Sequence, residues 1–118
     1  MLSASGALPD ERPTRTEEHL ARVIVLQDPE LAGELIRRCL EPFDHLADQE
    51  RERLLDTARS WLDHQRHTPR VASELHVHPQ TVRYRIGKLR ELLGDALETP
   101  EGRFELELAL RARRAMAG

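Results

Sequence analysis

The stretch TPRVASELHVHPQTVRYRIGKLRELLG, Thr68 to Gly94, decides the fold of this chain, because it reads as two short helices joined by a tight turn, the second rich in cations. In the first helix Thr68 is placed to cap, Pro69 suits the first helical position, and Val71, Ala72 and Leu75 set apolar atoms on one face. Three residues later His78 stands where a second cap belongs, and Pro79 brings a preset φ with no amide to leave unpaired. Val82, Ile86, Leu89 and Leu93 then recur at helical spacing until Gly94, a residue suited to ending a helix. Helices so close in sequence cross steeply; Ala72 is small enough to admit the second near the first, and Val77 is predicted to plug the junction.

At about 100° per residue from Val82, the positions of Ile86, Leu89 and Leu93 fall within about 40° of it, while Gln80, Tyr84, Gly87, Lys88 and Glu91 gather on the opposite side with Thr81 and Arg83 on the flanks. A paired helix and turn of this kind is how a DNA reader looks in sequence, and such a helix presents its N-terminal residues to base edges in the major groove. Gln80, Thr81, Arg83 and Tyr84 are therefore the expected base contacts: Gln matches adenine, Arg matches guanine, and the Thr methyl can meet a thymine methyl. Thr68, Arg70, His78, Arg85, Lys88 and Arg90 are the expected phosphate contacts, which fix register without reading sequence.

At these residues the chain also resembles a known family. HVHPQTVRYRIGKLRELLG, His76 to Gly94, is similar to the C-terminal helix-turn-helix of the PucR/CdaR (sugar diacid regulator) family of bacterial transcription regulators, with Val77, His78, Thr81, Val82, Arg83, Tyr84 and Arg85 matching the family pattern and Ile86 replacing Leu conservatively. LLDTARSWLDH, Leu54 to His64, resembles the helix before the reading pair, and TPEGRFELELALRARR, Thr99 to Arg114, resembles the closing helix. A weaker similarity reaches DPELAGELIRRCLEPFD, Asp28 to Asp44. The departures are Pro79 where the family usually has Arg, Gln80 where it usually has Asn, and Gly87 where a long polar side chain is common. The resemblance implies a sequence-specific regulator, and a sensory region or partner protein to control it. This chain is then either the detached C-terminal portion of a longer regulator or a short stand-alone version.

Composition agrees once charge is counted by region. Residues 1–64 carry 8 Arg against 14 acids, a balance of −6, whereas residues 65–118 carry 9 Arg and 1 Lys against 7 acids, a balance of +3. An acidic front and a basic rear localise attraction for DNA on one surface. Low aromatic content and the absence of β-branched runs beyond VIVL, Val23 to Leu26, predict an all-α helical bundle containing a helix-turn-helix, winged-helix-like but without a clear wing. VIVL itself is expected to be buried helix. The predicted organisation is a flexible segment over 1–15, an N-terminal helical pair over 16–46 with a role in dimerisation, and the DNA-binding domain over 47–118.

Outside the reading pair four helices are predicted. The first spans Thr16 to Gln27; the second starts at cap Asp28 and Pro29, turns Leu31, Leu35, Ile36, Cys39 and Leu40 inward, and stops before Pro42. The third covers Ala47 to His64 with a stripe of Leu54, Leu55, Ala58, Trp61 and Leu62. Thr99 and Pro100 open the last, whose apolar face, from Phe104 to Ala112, is too wide for one neighbour and is expected to meet both the core and another subunit. Since helix-turn-helix proteins often read two half-sites, a homodimer is expected, joined through the first two helices and the last.

Other functional classes find less support. Cys39 sits among apolar neighbours and reads as core filler rather than as a redox sensor. His64, His67, His76 and His78 are close in sequence, but their spacings span a helix end, a helix and a turn, which does not suit a metal site. Acidic residues are read as exposed helix positions without the spacing of a catalytic pair, and no phosphate loop or nucleophile elbow occurs, so neither enzyme activity nor a cofactor is expected. No apolar run reaches the length of a membrane span and no signal peptide is evident, so a cytoplasmic protein is expected. The principal rival is a helical protein-interaction module in which the acidic half docks a partner and the helix pair is only scaffold.

Overall fold

The computed structural model describes residues 15–117, which form six helices: α1 (Arg15–Gln27), α2 (Pro29–Leu40), α3 (Asp48–Asp63), α4 (Thr68–Leu75), α5 (Pro79–Leu93) and α6 (Pro100–Ala117). Single 3-10 turns follow α2, at Glu41–Phe43, and α5, at Gly94–Leu97. No strand occurs among the described residues, so the fold is all-α and has no wing among them. The flexible segment expected over residues 1–15 lies, apart from the start of α1 at Arg15, outside the described residues.

Helix starts follow local chemistry. Asp28 caps α2 by accepting from the Leu31 amide at 3.0 Å, with Pro29 in the first turn. At the head of α6 the Thr99 hydroxyl accepts from the Gly102 amide at 3.0 Å. Each cap satisfies an amide that the helix itself leaves without a partner. The segment between α2 and α3 is held by Arg51, whose guanidinium donates to the Phe43 carbonyl at 3.2 Å and the Leu46 carbonyl at 2.9 Å.

The main core joins α3, α4, α5 and α6. Leu54, Leu55, Ala58 and Trp61 of α3 pack with Val71 and Ala72 of α4, Val82, Ile86 and Leu89 of α5, and Leu106 and Leu110 of α6, while Phe43 and Leu97 fill its ends from the two 3-10 turns. A smaller cluster of Val25, Ala32 and Ala112 ties α1 and α2 to α6. Much of the wide apolar face of α6 is thus absorbed within the chain, by α1 and α2 on one side and the main core on another. Phe104 remains 65% exposed.

Two expectations about burial are corrected. Of the VIVL run only Val25 is buried; Val23, Ile24 and Leu26 are exposed, because α1 packs on α2 and α6 through Val25, which meets Ala32 and Ala112. Leu31 of α2, expected to point inward, is 65% exposed, because α2 packs inward through Ala32 and Ile36 instead. Cys39 is half-buried, with Sγ 3.9 Å from the Glu105 carbonyl oxygen, and burial pushes its thiol pKa up, which opposes thiolate formation. Its expected place as apolar filler matches this setting.

Candidate nucleic-acid interface

The turn between α4 and α5 is built without glycine. His76 ends α4 in the left-handed region (φ 58°, ψ 45°), and the Val77 amide then reaches back to the Ala72 carbonyl at 3.1 Å. This is the wrap by which a helix end satisfies its last carbonyls. Val77 packs against the main core from the turn, as predicted, and Ala72 is buried where α4 meets α5.

The start of α4 differs by one residue from expectation. His67, not Thr68, is the cap: its Nδ1 accepts from the Arg70 amide at 3.3 Å, and Thr68 occupies the first helical position with Pro69 after it. An imidazole nitrogen serves as acceptor as well as a hydroxyl does, and Pro needs only to lie in the first turn, where no amide is required of it. At α5 the expected cap is present. His78 Nδ1 accepts from the Gln80 amide at 3.0 Å, and Pro79 opens the helix.

The two sides of α5 are sharply different. Val82 and Leu89 are fully buried and Ile86 is 4% exposed, whereas Gln80, Arg83, Tyr84, Arg90 and Glu91 face solvent. Tyr84 is 66% exposed, an aromatic ring with its body in water. Thr81, Arg85, Gly87 and Lys88 lie at the margins, half-buried. Arg83 Nη1 donates to Gln80 Oε1 at 2.9 Å, and Lys88 Nζ stands 5.9 Å from the Tyr84 ring centroid. The structure therefore gathers Gln80, Arg83 and Tyr84 into one exposed polar strip, with Lys88 half-buried at its margin and His78 exposed at its head.

Other predicted contacts are engaged elsewhere. Arg85 leans onto α3, donating to the Thr57 hydroxyl at 3.4 Å. Arg90 is paired at 2.7 Å with Glu98, beyond the second 3-10 turn, so its charge is locally offset. Thr68 is half-buried and Arg70 exposed, both in the first turn of α4.

Behind the strip, α4 is fastened to α3 by a polar cluster that the sequence did not reveal. Glu74 Oε1 accepts from the Ser60 hydroxyl at 2.6 Å and lies 3.0 Å from His64 Nε2, while its Oε2 lies 3.3 Å from Arg59 Nη1. Arg59 also pairs with Asp63 at 3.0 Å and Asp56 at 2.9 Å. Partial burial alone would raise the Glu74 pKa, but hydrogen bonds from Ser60 and the charge of Arg59 outweigh it and hold the carboxyl below its ordinary value. For Asp63 burial prevails over Arg59, and the pKa rises. The reading of all acids as exposed is thus corrected: Asp63 is buried and Glu74 half-buried, since each meets partners from α3 and not water. The partners of Glu74 are 10 to 15 residues away, too far for a helical-spacing rule to find them. The Gln80–Arg83 pair, three residues apart on one helix, was within reach of that rule.

The four clustered histidines are engaged separately: His64 with Glu74, His67 and His78 in N-terminal helix caps, and His76 as the left-handed residue that ends α4. Among the described residues no three His, Cys, Asp or Glu side chains are grouped to hold a metal ion, and no helix is long and apolar enough to cross a membrane.

Residues 54–112, half of the chain, match the model of the PucR C-terminal helix-turn-helix domain. Among curated proteins the chain is 41% identical over 69 residues to the purine catabolism regulatory protein of Bacillus subtilis (strain 168), an alignment covering 58% of this chain and 13% of that protein. It is 40% identical over 57 residues to the "Uncharacterized protein in pkwA 5'region" of Thermomonospora curvata, covering 48% of this chain and 32% of the relative. The chain thus spans well under half the length of either. No solved structure matches significantly.

Proposed function

Because the chain belongs to the PucR C-terminal helix-turn-helix family, a family of DNA-binding transcription regulators, we propose that it reads operator DNA by laying α5 in the major groove. The observation that carries this reading is the division of α5 into a sealed side (Val82, Ile86, Leu89) and an open side with Gln80, Arg83 and Tyr84 at its leading end. Tyr84 is 66% exposed with Lys88 Nζ 5.9 Å from its ring centroid, and a DNA groove would cover both. Lys88, Arg70, Thr68 and His78 serve the phosphates in this reading. Arg85 and Arg90 can join only by loosening their bonds to Thr57 and Glu98. No catalytic chemistry is assigned, and the protein works where the DNA is, in the cytoplasm.

The proposal extends to a homodimer. Leu20 and Ile24 of α1 and Leu31 of α2 are each more than half exposed, and an apolar hollow of about 330 Å³ lies between α1, α2 and α6, lined by Ile24, Val25, Leu31, Leu35, Leu108 and Ala112. A second copy would cover this face and set two α5 helices for two half-sites. Leu31→Glu should shift the protein to monomer in sedimentation at tens of micromolar, and a wild-type monomer at that concentration would remove the dimer.

Fluorescence anisotropy with short duplexes at two salt concentrations tests the DNA reading against a protein-interaction module: affinity must be measurable and fall steeply with salt. Arg83→Ala with Tyr84→Ala should abolish preference among duplexes while circular dichroism stays unchanged. Lys88→Ala should weaken all duplexes alike and flatten the salt slope by about 0.9. Absence of binding at low salt, or preference retained in the double variant, defeats the assignment.

A further inference from the structure

The Arg83–Gln80 bond changes what those two residues can read. This inference rests on the DNA reading above. A Gln that reads adenine alone must present both its oxygen, to accept from N6, and its amide nitrogen, to donate to N7. In this structure Gln80 Oε1 is turned toward Arg83 and accepts from Nη1 at 2.9 Å. The guanidinium has five N–H donors, so Arg83 keeps enough to hold guanine O6 and N7 together. Its partner is a neutral amide, which steadies the guanidinium without cancelling its charge; Arg90, by contrast, is paired with the Glu98 carboxylate and Lys88 stands 3.9 Å from Glu91. The backbone beneath Gln80 is itself fixed, since its amide is held by the His78 cap at 3.0 Å.

We propose that Gln80 and Arg83 act as one reading unit, in which Arg83 recognises a guanine and Gln80 is the positioning residue that orients its guanidinium, rather than a separate reader of adenine. The length of the Gln80 side chain lets its amide oxygen reach a residue one turn further along the helix.

The test uses the 118-residue protein and duplexes selected by it from a random pool, with anisotropy titrations against every single base-pair change in the selected site. Arg83→Ala should lose about tenfold or more of the preference at one G·C pair. Gln80→Ala should weaken preference at that same pair, by a smaller factor, and leave every other pair unchanged. The double variant should be no worse than Arg83→Ala alone, because the two effects are coupled. Gln80→Glu, which keeps an oxygen acceptor, should retain preference at that pair even if overall affinity falls. The proposal is overturned if Gln80→Ala erases preference at a different pair, above all an A·T pair, with effects that multiply those of Arg83→Ala. A wild-type protein that binds without selecting any sequence would overturn the major-groove reading as well, and so is told apart from failure of the pairing alone. All variants are at exposed positions, and circular dichroism confirms that they remain folded.

Discussion

Replacing glycine by alanine should have opposite signs at two positions in this domain. Gly87 lies inside α5, and a Cβ built there meets nothing within 4 Å. An interior helical glycine costs about 1 kcal/mol relative to alanine, chiefly through the freedom it has in the unfolded chain, and with open space no clash offsets the gain. For a domain of this size an entropy of unfolding of about 2.1 cal/mol/K per residue converts 1 kcal/mol into a rise in Tm of about 4 °C. Gly102, in the first turn of α6, is the contrary case. A Cβ there would lie 2.1 Å from the Ala96 carbonyl oxygen and 2.5 Å from its Cα, both backbone atoms of the 3-10 turn, so α6 and that turn would have to separate. Overpacking of this kind costs roughly 1–3 kcal/mol, more than the helical preference of alanine returns, so Gly102→Ala should lower Tm by several degrees. Thermal melts followed by circular dichroism, supported by urea titration, measure both. A lower Tm for Gly87→Ala, or a higher one for Gly102→Ala, would refute the packing described for α5 and α6.

Further predictions follow from the same geometry. The open space at Gly87 accepts a long side chain, so Gly87→Lys should strengthen binding to every duplex and steepen the dependence of log K on log salt by up to about 0.9; an unchanged slope would place this position away from phosphate. Ala72→Leu, at a buried position between α4 and α5, should destabilise by roughly 1–3 kcal/mol and weaken DNA binding with it, as urea titration and anisotropy would show together. Glu74→Gln should cost on the order of 1–2 kcal/mol at pH 7, less than a fully buried ion pair because Glu74 and Arg59 are 24% and 22% exposed. Its pH profile carries the sign. The lowered pKa of Glu74 contributes stability above its ordinary value of 4.5 that is lost as pH falls through the folded value, so Glu74→Gln should flatten the acid limb. The raised pKa of Asp63 works the other way, its contribution being lost as pH rises from 3.8 through the folded value, so Asp63→Asn should steepen the acid limb just above pH 3.8.

What the sequence made legible was the part governed by near neighbours. Asp28 with Pro29 and His78 with Pro79 mark helix starts because a cap and a preset φ act within a single turn, and the stripe of α5 marks its buried side because helical periodicity is local. The turns were harder. Gln65, Arg66 and His76 all take positive φ without being Gly or Asn, so residue type gave no warning of where the backbone turns left-handed. Periodicity also names the apolar side of a helix without naming what covers it, which is why Val23, Ile24, Leu26 and Leu31 look like core in sequence and stand in solvent in the folded chain.

The same limit shapes the reading surface, and there it matters for function. Six cationic or polar side chains near α5 look equivalent as candidate phosphate contacts, yet folding sorts them by partners from distant parts of the chain: Arg85 meets Thr57, 28 residues back, and Arg90 meets Glu98 past the end of its helix. Each such bond must loosen before the side chain can serve DNA, and that loosening subtracts from affinity. Arg83 differs because its partner is neutral and lies on the same helix, so under the proposed reading its guanidinium would meet the groove already oriented and with its charge not cancelled by an acid. Preorganisation of this kind reduces the ordering cost of binding, so Arg83 should contribute more to affinity and selectivity than Arg85 or Arg90, although all three carry the same guanidinium. Alanine substitution of each in turn, read as Kd for a selected duplex, should rank Arg83 first. A larger loss at Arg90 would mean that its pair with Glu98 opens at little cost, and that pairing within the free protein does not set the order.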